Sequence, residues 1–476
     1  MYILTVPLLF ISLLLYFFPG SYIVFLLVIL ISSTIAIFSL IMMVLKPQFF
    51  RFTNMMAISL LAGYAFTTLI YLVSQWGPIS ASDYDVTGIV VTQKELSSAV
   101  ILVNYVCAAL FAVSRFEPPI IIIKGSVLVF SDIRASVLLW TGFTLVLLAF
   151  IFKGLGYGGI QVDDAGRISP LGSISYFVAP LLPPLFGIKV TQSQKTTRFI
   201  DTLGLIVTLI FLFPLGRRVL LYSVVVTIIM SLIYSSNEGE YNRRLIIQNI
   251  ILLTIFVFIV SIGFIVFYGL RISLSSTGDE SSLQSVLGYA METGQFNSEE
   301  FRLGLSENVI TRPFFLLNYL SILVSAHHIY PPLWGLEALH AIKTSLPSLL
   351  FPAKSALPQL VEEVSHPLLG LDVYDGSNTI ITAALNEFGV YGVFIYPVIL
   401  AILYSRILLV LHGRLPYFVT ILIAIALVYR IFCLEASLAD FLTVGLRDLL
   451  LIVIVCIIFW RALNIKHLSS AMKKSV

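Results

Sequence analysis

The sequence predicts an all-α polytopic membrane protein with about twelve transmembrane helices and one large helical loop outside the bilayer. Three observations predict it. Of 476 residues, 59% are apolar and 11% charged, with a mean hydropathy of +1.01, whereas a soluble domain is about half apolar and a quarter charged. Apolar windows long enough to cross a hydrocarbon core of about 30 Å recur along the chain. The basic residues gather in alternate connections. A net charge of +3 leaves no basis for a nucleic-acid partner.

Residues 1–268 carry about nine of the windows, at 2–18, 21–45, 56–74, 96–113, 136–152, 172–188, 202–216, 218–234 and 246–268. No basic n-region or cleavage site precedes the first, so it reads as an anchor and not a removed signal. The sixth is interrupted by Pro180, Pro183 and Pro184, and the seventh and eighth are separated only by Gly216-Arg217-Arg218. Residues 380–476 supply three more, at 380–404, 416–434 and 447–463.

Residues 269–379 form the long connection. Leu283 to Met291 have helical spacing, with Gly294 as a stop. Phe314 to Ala326 is apolar but too short to span, which predicts a buried, re-entrant or interface-lying helix. A third helix runs from Trp334 to about Ser345, ended by Pro347. Together these read as a small helical cap on the outer membrane face.

With a cytoplasmic N-terminus, one set of connections holds 16 of the 28 basic residues and five acidic ones, a balance of +11. The other side holds 12 basic and 20 acidic residues, a balance of −8. Both termini then lie inside and the long loop outside. Cys107, Cys433 and Cys456 fall in apolar spans, which excludes a disulfide framework and zinc spacing. His327 and His328 are adjacent and face different sides of a helix, and Asp163-Asp164 lack further ligands, so no metal is expected.

Charges within spans are costly and mark function. Arg217, Arg218, Arg271, Arg430 and Arg447 fall at outer helix ends, and Arg302 and Arg312 come from the loop. Guanidinium forks bind a multi-oxygen diphosphate bidentately and stabilise charge on it as it leaves. Each arginine, taken singly, also fits a snorkelling anchor or a partner for a nearby carboxylate. A second group comprises His366, Asp372, Asp375 and Glu387, any of which is suited to take a proton from a hydroxyl. Asp375-Gly376-Ser377 equally reads as a turn and helix cap. Glu387, inside an apolar helix, needs a partner, either in catalysis or as an arginine clamp.

The layout resembles the Wzy-type O-antigen and enterobacterial-common-antigen polymerases, which join oligosaccharide repeat units. The segments that carry the likeness are Pro214 to Arg218, Tyr268-Gly269-Leu270-Arg271, Leu346 to Lys354, and Asn378 to Gly392 with Glu387-Phe388-Gly389. The resemblance implies a multi-pass protein of the bacterial inner membrane without metal or other cofactor. It implies transfer of a growing glycan from undecaprenyl pyrophosphate onto the next lipid-linked unit. The outer arginines would hold the pyrophosphate, a loop or helix-ten residue would activate the acceptor, and a chain-length-regulating membrane protein would be a partner. No histidine pattern matches the related O-antigen ligases. A ligase, or a flippase for lipid-linked sugars, remains the rival reading.

Overall fold

The computed structural model describes residues 1–75, 91–120, 133–151, 177–193, 197–212, 217–235, 312–345, 366–369, 378–433 and 453–462, with 130, 175, 371 and 450. Among these the chain is all helical, with no strand. The helix expected over 283–291, the span at 246–268, the start of the twelfth span, and most of the loop expected over 269–379 lie outside the described residues.

The chain divides into two compact units. Unit 1 takes residues 1–122, 308–410 and 430–449; unit 2 takes 123–307, 411–429 and 450–476. The loop helices described below group with the first four spans.

In unit 1 the helices are α1 (Thr5–Phe17), α2 (Tyr22–Leu45), α3 (Phe52–Leu61), α4 (Thr67–Gln75) and α5 (Gln93–Val113). After these come α10 (Arg312–Ala326), α11 (Leu336–Ser345) and α12 (Ile380–Leu411). α3 and α4 are one rod joined through a π-helical turn, Ala62–Phe66. Among the described residues, four stretches are long and apolar enough to cross a membrane: Tyr22–Leu45, Phe52–Ser74, Gln93–Phe116 and Ile380–Leu411.

α5 is central, packed by α1, α3 and α10. Its start is fixed by a reciprocal cap between Thr92 and Glu95. Small and polar residues join it to its neighbours. Ser32 Oγ donates to Asn104 Oδ1 (3.0 Å), Ser97 Oγ to the Pro19 carbonyl (2.7 Å) and Cys107 Sγ to the Ala57 carbonyl (3.6 Å). Such contacts join helices where both solvent and side chains are apolar.

α10 is the short apolar run of the loop. Its residues 316–323 are buried on every side, as expected of a helix apolar all round. It lies against α4, α5 and the π turn. Of the buried, re-entrant and interface-lying alternatives expected for this run, the described residues show a helix buried within unit 1.

Unit 2 contains α6 (Ile133–Ile151), α7 (Leu182–Gln192), α8 (Arg198–Leu212), α9 (Arg217–Ser235), most of α13 (Tyr417–Phe432), and α14 (Val453–Ala462). Close approach comes from two glycines: a Cβ at Gly204 would meet Phe186 at 2.5 Å, and one at Gly187 would meet Ser231 Oγ at 2.7 Å. Lys189 pairs with the buried Asp201 (3.0 Å) and stands 5.5 Å over the Trp140 ring. The helix start at Arg217 turns the expected link between two spans into the first turn of α9.

Candidate functional site

The site forms where α12 breaks. Phe388 (φ −136°, ψ 20°) and Gly389 (φ 62°, ψ −153°) leave helical geometry. An ideal Cβ on Gly392 would stand 2.2 Å from the Ala384 carbonyl oxygen. Residues eight apart in a straight helix are about 12 Å apart along the axis, so the chain folds back here into a short arm, 380–387, and a long arm, 390–411. Continuity of the tenth helix was the expectation from apolar composition. Gly389 is the residue that ends it, because its positive φ suits a residue without Cβ.

The short arm starts deep in the unit. Thr379 Oγ1 accepts from the Ile381 and Thr382 N–H groups (3.2 Å each) and shares a 2.7 Å hydrogen bond with Tyr64 of the π turn. Its far end is closed by the turn before α11. The Leu333 and Trp334 N–H groups donate to the Asn386 and Glu387 carbonyls (2.8 Å each). These are the carbonyls a helix end leaves open.

Glu387 closes the arrangement from the other direction. It is fully buried, and its Oε1 accepts the Ala338 N–H (2.5 Å). Backbone groups of Gly335 and Glu337 interact with the same carboxylate. A carboxylate therefore sits on the positive end of α11, which is aimed there by two consecutive left-handed residues, Trp334 (φ 51°) and Gly335 (φ 92°). The partner that Glu387 needed is a helix N-terminus. Among the described residues, no arginine is paired with it.

Beside it runs a hydrogen-bonded chain. Asn386 Nδ2 donates to Glu337 Oε1 (3.0 Å). That leaves Asn386 Oδ1 facing His327 Nε2 (3.2 Å). The same amide thus joins Glu337 on one side to the His327 imidazole on the other. Burial holds the His327 imidazole below its ordinary range, partly opposed by Asn386 and the Tyr330 backbone. His327 is half-buried and Asn386 and Glu337 are buried. The cluster has one half-buried imidazole and two buried carboxyl groups.

His366 lies elsewhere. It is buried and hydrogen bonded through Nε2 to the Tyr319 hydroxyl on α10, their rings 5.7 Å apart. Tyr319 and His327 are eight positions apart, about 12 Å along a helix. Two of the proposed bases, His366 and Glu387, thus belong to different clusters along α10. Arg430 is in the last turn of α13 and partly exposed. Arg217, Arg218 and Arg312 open helices, but their side chains lie outside the described residues. Asp372, Asp375, Arg271, Arg302 and Arg447 also lie outside them.

Sequence reasoning missed His327, which it weighed only as a metal ligand, together with Glu337 and Tyr319. One signal was available: Glu337 and His340, three apart, put two polar groups on the same face of α11. Among the described residues, no group of three metal-ligating side chains comes together. No protein-family model, curated protein or solved structure matches the chain.

Proposed function

We propose that the chain is a multi-pass glycosyltransferase of the bacterial inner membrane, with both termini cytoplasmic. It polymerises undecaprenyl-pyrophosphate-linked oligosaccharide units into O-antigen or a similar surface polysaccharide at the periplasmic face. One observation carries the reading: the break in α12 brings Glu337 and His327, from outside the segment, onto Asn386 and beside Glu387, two residues of the segment Asn378 to Gly392 that resembles the polymerases. Inverting transfer needs a group there to take a proton. The acceptor hydroxyl oxygen attacks the anomeric carbon and passes its proton to the base. The bond from that carbon to phosphate oxygen breaks, and undecaprenyl pyrophosphate leaves. Arg217, Arg218, Arg271, Arg302, Arg312, Arg430 and Arg447 are the candidates to hold the diphosphate.

A second reading draws on the same break. Transporters place discontinuous helices at their substrate sites, so a lipid-linked-sugar flippase also accommodates the folded-back α12. Deleting the gene separates the readings. A polymerase defect leaves one repeat unit on lipopolysaccharide, whereas loss of a ligase or flippase removes all antigen. In the same strain, Arg217→Ala, Arg271→Ala or Glu387→Ala each abolishes long chains while the protein stays at its normal level in the membrane. Wild-type chain lengths in all three variants overturn the site assignment.

A further inference from the structure

α11 is amphipathic the wrong way round for a helix in water. Its inward face carries Glu337, His340 and Ala341, all buried, while Leu336, Leu339 and Ile342 stand exposed at three-residue spacing. The turn before it exposes Ile329 (77%) and Trp334 (72%). Across the break, Tyr391 is 80% exposed beside the exposed Val390. The same apolar exposure continues down the long arm of α12 through Ile395, Ile399 and Leu403, on a stretch long and apolar enough to cross a membrane. Trp and Tyr concentrate where acyl chains meet headgroups, and a helix with one large apolar face lies in that layer.

We propose that the turn 329–335 and α11 lie in the interfacial layer of the bilayer, with Leu336, Leu339 and Ile342 against the acyl chains and Trp334 and Tyr391 as anchors. The occupant of this face is bulk lipid, continuous with the lipid along the long arm. The cluster of His327, Asn386, Glu337 and Glu387 then sits at headgroup depth, shielded from bulk water by α11. The placement holds whether or not the chain is a polymerase.

The test is a full-length variant keeping Trp334 as sole tryptophan (Trp76, Trp140 and Trp460 changed to Phe), reconstituted in phosphatidylcholine vesicles with brominated acyl chains. Bromines near the headgroup are expected to quench Trp334 at least twice as strongly as bromines near the chain ends, with weak quenching by aqueous iodide. Strong iodide quenching without bromine quenching places the turn in water and overturns the proposal. Quenching by neither places protein over the face, a second copy or another partner, and also overturns it. Trp140 packs on Phe186 (5.1 Å), so a second variant retains every tryptophan: Leu339→Cys, with Cys433 and Cys456 changed to Ser, carries a nitroxide. Oxygen is expected to relax that label more than a water-soluble nickel complex does; the reverse order overturns the proposal.

Discussion

Glu117 and Glu387 perform the same task at two places in unit 1: each is a buried carboxylate that closes the N-terminus of a helix distant in sequence. Glu117 Oε1 accepts the Phe52 N–H (2.8 Å), and Oε2 accepts the Thr53 N–H (3.0 Å) and hydroxyl (2.6 Å). Residue 51, at the helix cap, is an arginine that supplies no side-chain cap; its guanidinium donates to the Ser114 carbonyl. Glu117→Ala strands these donors and is expected to cost about 1–3 kcal/mol, read as a lowered thermal midpoint in detergent. Burial raises the Glu117 carboxyl above its ordinary 4.5, against the pull of Thr53, Phe52 and Arg51. The folded protein therefore holds this proton more tightly than the unfolded chain does. Its contribution to stability is complete below pH 4.5 and is lost as pH rises through the raised value. Glu117→Gln is expected to flatten that part of the stability profile; an unchanged slope would assign it to other groups.

At the scale of the element, α12 shows how two glycines make one apolar stretch into two arms. Gly389 occupies backbone space essentially reserved for glycine, and a side chain there costs about 1–3 kcal/mol. At Gly392 the obstacle is contact with the Ala384 carbonyl, which is backbone and cannot swing aside. Gly392→Ala is expected to force the arms apart, loosening the hydrogen bonds from Leu333 and Trp334 to Asn386 and Glu387. Faster hydrogen exchange at the Leu333 and Trp334 amides, by tenfold or more, is the measurable consequence. A variant with wild-type exchange would show that the fold-back does not depend on this contact. The π turn in the α3–α4 rod belongs with the same feature, since it carries the tyrosine that meets Thr379 at the start of the short arm.

For the whole molecule, the distribution of basic residues makes the first testable statement. On the expected twelve-span topology, which puts +11 on one side and −8 on the other, a reporter active only in the cytoplasm is expected to be active when fused to either terminus. A periplasmic alkaline phosphatase fused after residue 311 is expected to be active there. Inverted activities would reverse the orientation and remove the outer-face placement of the arginines.

Composition and periodicity by themselves determined that this chain is helical and suited to a membrane, and the approximate extent of several of the described helices. Windows predicted at 21–45 and 96–113 became α2 at Tyr22–Leu45 and α5 at Gln93–Val113. Apolar content and length set such elements locally, without reference to partners. Glu387 was also legible as a residue in need of a partner, because an isolated carboxylate in an apolar helix is too costly to leave bare. Only the tertiary structure decided what that partner is. The N-terminus of α11 is 49 residues away in sequence, and no local pattern encodes such a meeting. The fold-back of α12, the burial of α10 and the joining of His327 to Asn386 across 59 residues follow from packing. Hydropathy cannot see packing, because it scores an apolar residue alike whether it faces lipid or another helix.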